Sequence, residues 1–419
     1  MTAARVPFAI AIVTAVLPLA TAEVRPATLP QTEQNRFEEF YRSGRLAAGE
    51  AALVEWLRKS PDDENARFSL GMLQFLRSVE HLVQSLHHHG LRSDIPGAGM
   101  FLPIPRSPLP PNPNPKPPAY ADIRKLTRRF VDDLARAEAT LALVKSPDVK
   151  LPLKFGLIRL DLNGDGKATD EETLWRLYAL FNRAVEAKDA ENFLIAFDLA
   201  DALWLRGYCH LLMAFGEIAL AHDATELFQR AGHLVFTKIE TPHSFLLDGK
   251  PVFEYGGVDI MDWIAFVHCS NFPLTEPAGM TRALRHLEAM IGQSRRMWTA
   301  IAAEVDDDHE WIPSPKQTGV IPNVTITAEM VAGWQDFLNE AEALLAGTKL
   351  IPFWRTSDDR GVNLRRVFTE ARRFDLVLWI QGTGATPFLE RGTLTKEETW
   401  QRFERIFRGE FIGFAIWFN

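Results

Sequence analysis

Between Glu64 and His88 the apolar residues return every three or four positions. Leu70, Leu73, Phe75, Leu76, Val79, Leu82, Val83 and Leu86 make one broad face. That period belongs to a helix buried along one side. The same rhythm recurs over 36–59, with breaks at Gly44 and Gly49, over 122–144 and 259–269, and over 277–304, 327–346 and 395–407. Thr327 is placed to cap its helix, with Glu329 in the first turn. Alternation with period two is rare. A hairpin is expected at His243–Leu247 and Lys250–Glu254, across the turn pair Asp248-Gly249. A second is expected between Ile351 and Phe368, around Ser357 to Gly361. The expected fold is therefore mainly α: an irregular helical bundle, or layers of helix pairs, with small β-hairpin insertions. The tail Phe411–Phe418 is too aromatic to be exposed and should dock on the core.

A long apolar stretch, Phe193–Ala221, contains Asp198, Asp201, Arg206, His210 and Glu217. A charge at a bilayer centre costs about 2.5–3.5 kcal/mol, so the stretch reads as a core helix and not a membrane span. The first residues have an export pattern: Arg5, an apolar run Val6–Leu19, and the small-residue site Ala20-Thr21-Ala22. The apolar run is shorter than the ~20 residues of a spanning helix, which favours cleavage before Glu23 over an uncleaved anchor. The chain is then expected in the periplasm or outside the cell. Three regions follow the leader: a helical hairpin region at 23–94, a proline-rich arm or linker at 95–120, and the main helical region at 121–419. The arm carries nine prolines from Pro103 to Pro118, which exclude helix and central strand. Net charge is −8, and no basic stripe suits nucleic acid. Cys209 and Cys269 are the two cysteines. Oxidising surroundings allow a disulfide between them, and apolar neighbours equally allow two buried thiols.

The chemistry concentrates in twelve residues. Asp161, Asn163 and Asp165 are spaced two apart, Gly166 follows, and Glu172 closes the stretch. This stretch matches D-x-[DN]-x-[DN]-G-x₅-E at every constrained position and resembles an EF-hand calcium loop. The resemblance covers Asp161–Glu172 only. It implies Ca2+ as the ligand, because a hard cation takes six to eight oxygens. Asp161, Asn163 and Asp165 would offer side-chain oxygens, Lys167 its carbonyl, Thr169 its hydroxyl directly or through water, and Glu172 both carboxylate oxygens. Gly166 permits the bend. Ala168 stands where paired loops carry a larger apolar residue, and no second loop matches, so a lone site of moderate or weak affinity is expected. Of the segment entering the loop, Leu153, Leu157 and Leu160 suit a short helix after Pro152; Val149 to Leu157 also alternate as a strand would. Separately, Gly49, Leu53, Pro61 and Leu70-Gly71 partly resemble a tetratricopeptide hairpin, with Arg67 and Gln74 where that family places aromatics.

Other groups are weaker signals. His87-His88-His89 lie at a helix end, where the helix dipole alone favours histidine. Glu304 to Glu310, with Asp306-Asp307-Asp308 inside it, reads as a solvated acidic turn after a helix or a second cation site. No nucleophile elbow, zinc-protease helix or phosphate loop is present. The leading expectation is an exported binding or scaffold protein, its partner an unidentified protein or small molecule, with one structural calcium. The alternative is an exported enzyme, such as a hydrolase, whose site draws on Asp198, Asp201, His210 and the acidic run near Asp307.

Overall fold

The computed structural model describes residues 37–92, 109–179, 187–248, 253–255, 258–321, 325–355, 359–409 and 411–417. The export leader, most of the proline arm and Gly249 of the first expected hairpin lie outside these residues. Helices dominate, and every sheet is antiparallel with two or three short strands.

The N-terminal layer is α1 (Glu38–Arg42), α2 (Leu46–Lys59) and α3 (Glu64–His88). Gly44, at φ +67°, separates the first two. Asp63 caps α3 by accepting from the Ala66 amide at 2.9 Å. Helix α4 (Tyr120–Leu141) packs beside α3. The described part of the proline arm runs along the end of α3. There the Asn112 amide donates to the carbonyls of His87 and His88, and the Lys116 amide donates to His88. These bonds satisfy carbonyls that a helix end leaves open.

Strand β1 (Leu151–Lys154) pairs with β2 (Leu194–Phe197), Leu151 opposite Phe197. Helices α5 (Leu174–Ala179) and α6 (Ala187–Asn192) lie between them in sequence. Helix α7 (Leu199–Ala221) follows at once, so the long apolar stretch is a strand and a helix, not one helix. The break falls at Asp198. Its carboxylate accepts from the amides of Ala200 and Asp201, and the Asp201 carboxylate accepts from the Asp198 amide. This reciprocal cap fixes where helix can begin.

Helices α8 (Thr225–Ala231) and α9 (Phe245–Asp248) come next. The first expected hairpin is displaced: Phe245–Asp248 forms a helical turn, and the paired strands are β3 (Glu254–Tyr255) and β4 (Val258–Asp259). Helix α10 (Ile260–Cys269) leads through β5 (Asn271–Phe272) into α11 (Pro277–Ala303), and then α12 (Ala328–Leu345). Strands β6 (Ile351–Pro352) and β7 (Arg360–Val362) form the second expected hairpin. Helix α13 (Leu364–Thr369), β8 (Phe374–Asp375), α14 (Leu376–Gln381), β9 (Leu389–Arg391), α15 (Glu397–Ile406) and α16 (Phe411–Trp417) complete the chain.

One hydrophobic core extends from Phe37 to Phe414. Helices α7 and α11 form its central pair, with α4 and α3 on one side and α12 on the other. Gly216 of α7 sits where a Cβ would come within 2.3 Å of Val131 on α4, so the two helices meet at backbone distance. The aromatic tail docks as its composition demands. Phe414 is buried, stacks on Trp298 and packs on Phe407 and Trp334. Cys209 and Cys269 are both buried free thiols. Among the described residues no helix is long and apolar enough to cross a membrane.

Candidate metal centre

The acidic loop is bent by two glycines in the left-handed region, Gly164 at φ +76° and Gly166 at φ +83°. A side chain at either position would be strained. Asp161 accepts from the amides of Gly164 and Gly166 at 2.8 and 2.9 Å. Asn163 accepts from the Asp165 amide and Asp165 from the Lys167 amide, both at 2.8 Å. These short local bonds wind the backbone around the first three donor side chains. Lys167 and Thr169 follow on the exposed rim.

Glu172 is fully buried. One oxygen accepts from the Leu162 and Asn163 amides at 2.8 and 3.4 Å. The other accepts from the amide and hydroxyl of Thr169 at 2.8 and 2.9 Å. The last residue of the motif is thus wired to its second, third and ninth positions. The loop ends are closed by bridging of Arg159 to Thr173 and by the Leu160 amide donating to the Glu172 carbonyl. The entering segment is β1 followed by a single 3-10 turn, Phe155–Leu157, in place of the short helix expected there. Strand pairing with β2 outweighs the leucine spacing. A 3-10 turn, Asp170–Glu172, leads into α5 on the exit side.

The loop is fastened to the N-terminal layer. The Asp161 amide donates to Glu80 of α3 at 2.8 Å, and Gln84 donates to the Asp161 carbonyl at 2.5 Å. Burial, with the nearby Asp161 and Glu172 charges adding to it, pushes the Glu80 carboxyl up to about 7. The Arg159 amide donates to the Tyr41 carbonyl and its guanidinium to the Arg42 carbonyl. Gly44 meets the loop so closely that a Cβ there would lie 2.2 Å from that of Ala168. The small residue at position eight therefore faces α1, where a bulky one could not fit.

The donors are all oxygen, which fits a hard cation. The ring is not yet closed to calcium dimensions. Opposite ligands at ~2.4 Å each span ~4.8 Å, and the three carboxylates of the loop do not all lie within 4.8 Å of one another. An ion would have to draw the three carboxylates closer together.

A trio that does meet this spacing lies elsewhere. Asp198, Glu304 and Glu310 have oxygens all within 4.8 Å. Asp201 joins Asp198 through the α7 cap, and Lys150 approaches Asp198 at 4.0 Å while donating to Asp306 at 2.8 Å. Burial pushes Glu304 and Glu310 up to about 7, with the Asp198 charge adding to it. Burial likewise raises Asp198 and, further reinforced by Asp198, raises Asp201 strongly. Glu304 accepts from Gln317, and the Asp308 amide donates to Glu310. His309, between them, has φ +59°, an uncommon conformation for a residue with a side chain.

The remaining candidates are dispersed. His210 contacts His286, Nδ1 to Nδ1 at 3.1 Å, and approaches Glu138 at 3.6 Å. Asp307 accepts from the Thr318 amide at 2.6 Å and is outside the trio. His87 and His89 contact the carbonyls of Pro110 and Lys116 in the arm. Sequence reasoning grouped Asp198 and Asp201 with the acidic run Glu304–Glu310 but centred it on Asp307; the carboxylates that meet Asp198 are Glu304 and Glu310, a choice that only the tertiary fold makes.

No family model matches the chain, and neither a curated protein nor a solved structure is significantly similar to it.

Proposed function

We propose that the protein is an exported calcium-binding scaffold, in which one Ca2+ at Asp161–Glu172 tethers the N-terminal helical layer to the helical core. The single observation that carries this reading is Glu172. A fully buried carboxylate at the twelfth position, with both oxygens turned to the loop's own amides, is the group that would close a calcium shell. Asp161, Asn163, Asp165, the Lys167 carbonyl and Thr169 would supply the other oxygens. The ion would add positive charge where Asp161, Asp165, Glu172 and Glu80 otherwise repel. Because α1 and α3 both grip this loop, cation binding would stiffen a contact between distant parts of the chain. The closing of the ring requires work, which argues for affinity toward the weak end, about 10⁻⁴–10⁻³ M as in extracellular modules.

The test is titration calorimetry of Ca2+ into metal-free protein, with thermal melts in EDTA and in millimolar calcium. A heat of binding and a raised melting temperature are expected. Absence of both would overturn the reading. The enzyme alternative would rest on the carboxylates gathered at Asp198, Asp201, Glu304 and Glu310, with His210 and Asp307 making other contacts.

A further inference from the structure

Helix α10 is apolar on both sides. Its inner side chains Trp263 and Phe266 pack against Ala231 and Leu234. Its outer side carries Ile260, Met261, Ile264 and Val267, from 44% to 55% exposed. A helix hydrophobic all round belongs in an interior, yet this one has its outer face open to solvent. Helix α14 extends the face with Val377, Leu378 and Ile380, each at least 40% exposed. The two helices are joined: β5 pairs with β8, and the Leu376 amide donates to the Ser270 carbonyl at 2.9 Å. Phe253, 63% exposed, adjoins the other end, where its carbonyl accepts from the Ile260 amide.

We propose that this face is a self-association surface, on which a second copy of the chain docks. Area is the first argument. The side chains are about half exposed, and all but Phe253 are smaller than the aromatics that offer about 150–250 Å² each. The face therefore presents on the order of 500 Å² of apolar surface, toward the upper end of an ordinary monomer's largest patch. A standard interface takes about 800 Å² from each partner. Charge is the second argument. An isologous interface sets each residue against the same patch, so unpaired like charges would repel. The acids here are turned away from that role. Asp262 faces His233 at 3.1 Å. Asp259 and Asp375 cap their helices through the amides of Met261 and Leu378, both at 2.9 Å. Neither helix contains Lys or Arg, and the chain carries −8 overall, which disfavours an anionic bilayer as the occupant. Rigidity is the third. Trp379 stacks on Phe374 and Phe388, anchoring α14 from beneath, so the face is presented already ordered.

This inference is independent of the calcium reading, and its test is run in EDTA. Sedimentation equilibrium of the purified chain between about 1 and 100 μM should show a dimer with a dissociation constant in the micromolar range or below. Ile264→Glu and, separately, Val377→Glu should weaken it at least about 100-fold, with circular dichroism and melting temperature unchanged. The same samples are mixed with phosphatidylcholine and phosphatidylglycerol vesicles and floated. A monomer at every concentration overturns the proposal, whether or not it floats with vesicles. So does a dimer that both substitutions leave intact.

Discussion

Glu172 holds the loop together and, in the proposed site, would also close the calcium shell; substitution can separate these from the part Asp165 would play. Its oxygens accept from four donors inside the loop. In Glu172→Gln an amide group would face one of those donor pairs. Even in EDTA this variant should lose about 1–3 kcal/mol, the cost of a buried group left without its partner. Urea melts of metal-free protein measure it. Asp165 is exposed, with one oxygen accepting from the Lys167 amide at 2.8 Å and the other from the Asn163 side-chain amide at 3.2 Å. Asp165→Asn keeps the first acceptor and removes the charge and the longer, solvent-exposed contact. It should leave the metal-free melt unchanged while weakening calcium binding about tenfold or more. If Asp165→Asn bound calcium as the parent does, the ion would not be held where proposed.

At the scale of elements, much was legible because local signals agreed with the tertiary outcome. Helix α3 has its stripe, its Asp63 cap and its predicted span, Glu64–His88. The tail had too many aromatics for any exposed place. Phe414→Ala should therefore cost about 3 kcal/mol or more, given its stacking on Trp298 and contacts with Phe407 and Trp334. A denaturant midpoint shift with unchanged slope would show it. Elsewhere a local signal misled. In 193–221 uniform hydrophobicity hid the boundary, since a buried strand and a buried helix both lack a polar face. The boundary is written in Asp198 and Asp201, three apart, a capping pattern inside a stretch whose hydrophobicity alone reads as a single helix. At 245–254 the Asp248-Gly249 pair suggested a turn between strands, but strand pairing falls at 254–259 instead. The loop itself was legible residue by residue, because its bends depend on short-range bonds. Its anchorage to Glu80, Gln84 and Gly44 was not, because those contacts join positions far apart in the chain.

For the whole molecule, the cluster at the start of α7 sets how stability answers to pH. It gathers Asp198 and Asp201 from the cap, Glu304 from the end of α11, and Asp306 and Glu310 from the following turn, with Lys150 beside Asp198 and Asp306. Glu304 also sits at a helix C-terminus, where the dipole disfavours negative charge. Burial raises Asp198, Asp201, Glu304 and Glu310, with the Asp198 charge adding to it for the other three, while the Lys150 ammonium holds Asp306 below its ordinary value; Glu304 and Glu310 reach about 7. In the unfolded chain they ionise near the ordinary value of ~4.3. Between those limits the folded state holds more protons, so stability falls as pH rises. The contribution is complete below the ordinary carboxylate range and is lost as pH climbs through about 7. After discounting for solvent and for the interaction between the two groups, the loss should be about 1–2 kcal/mol between pH 5 and pH 8. Urea melts in EDTA at unit pH intervals measure the summed loss, to which Glu80, also raised to about 7 by burial, adds in the same direction, and the difference from Glu310→Gln isolates the cluster's share. Glu310→Gln, which keeps an acceptor for the Asp308 amide, should flatten the profile and melt higher than the parent at pH 8. A parent whose stability rises from pH 5 to pH 8 would mean that the cluster is neutralised by something other than protons.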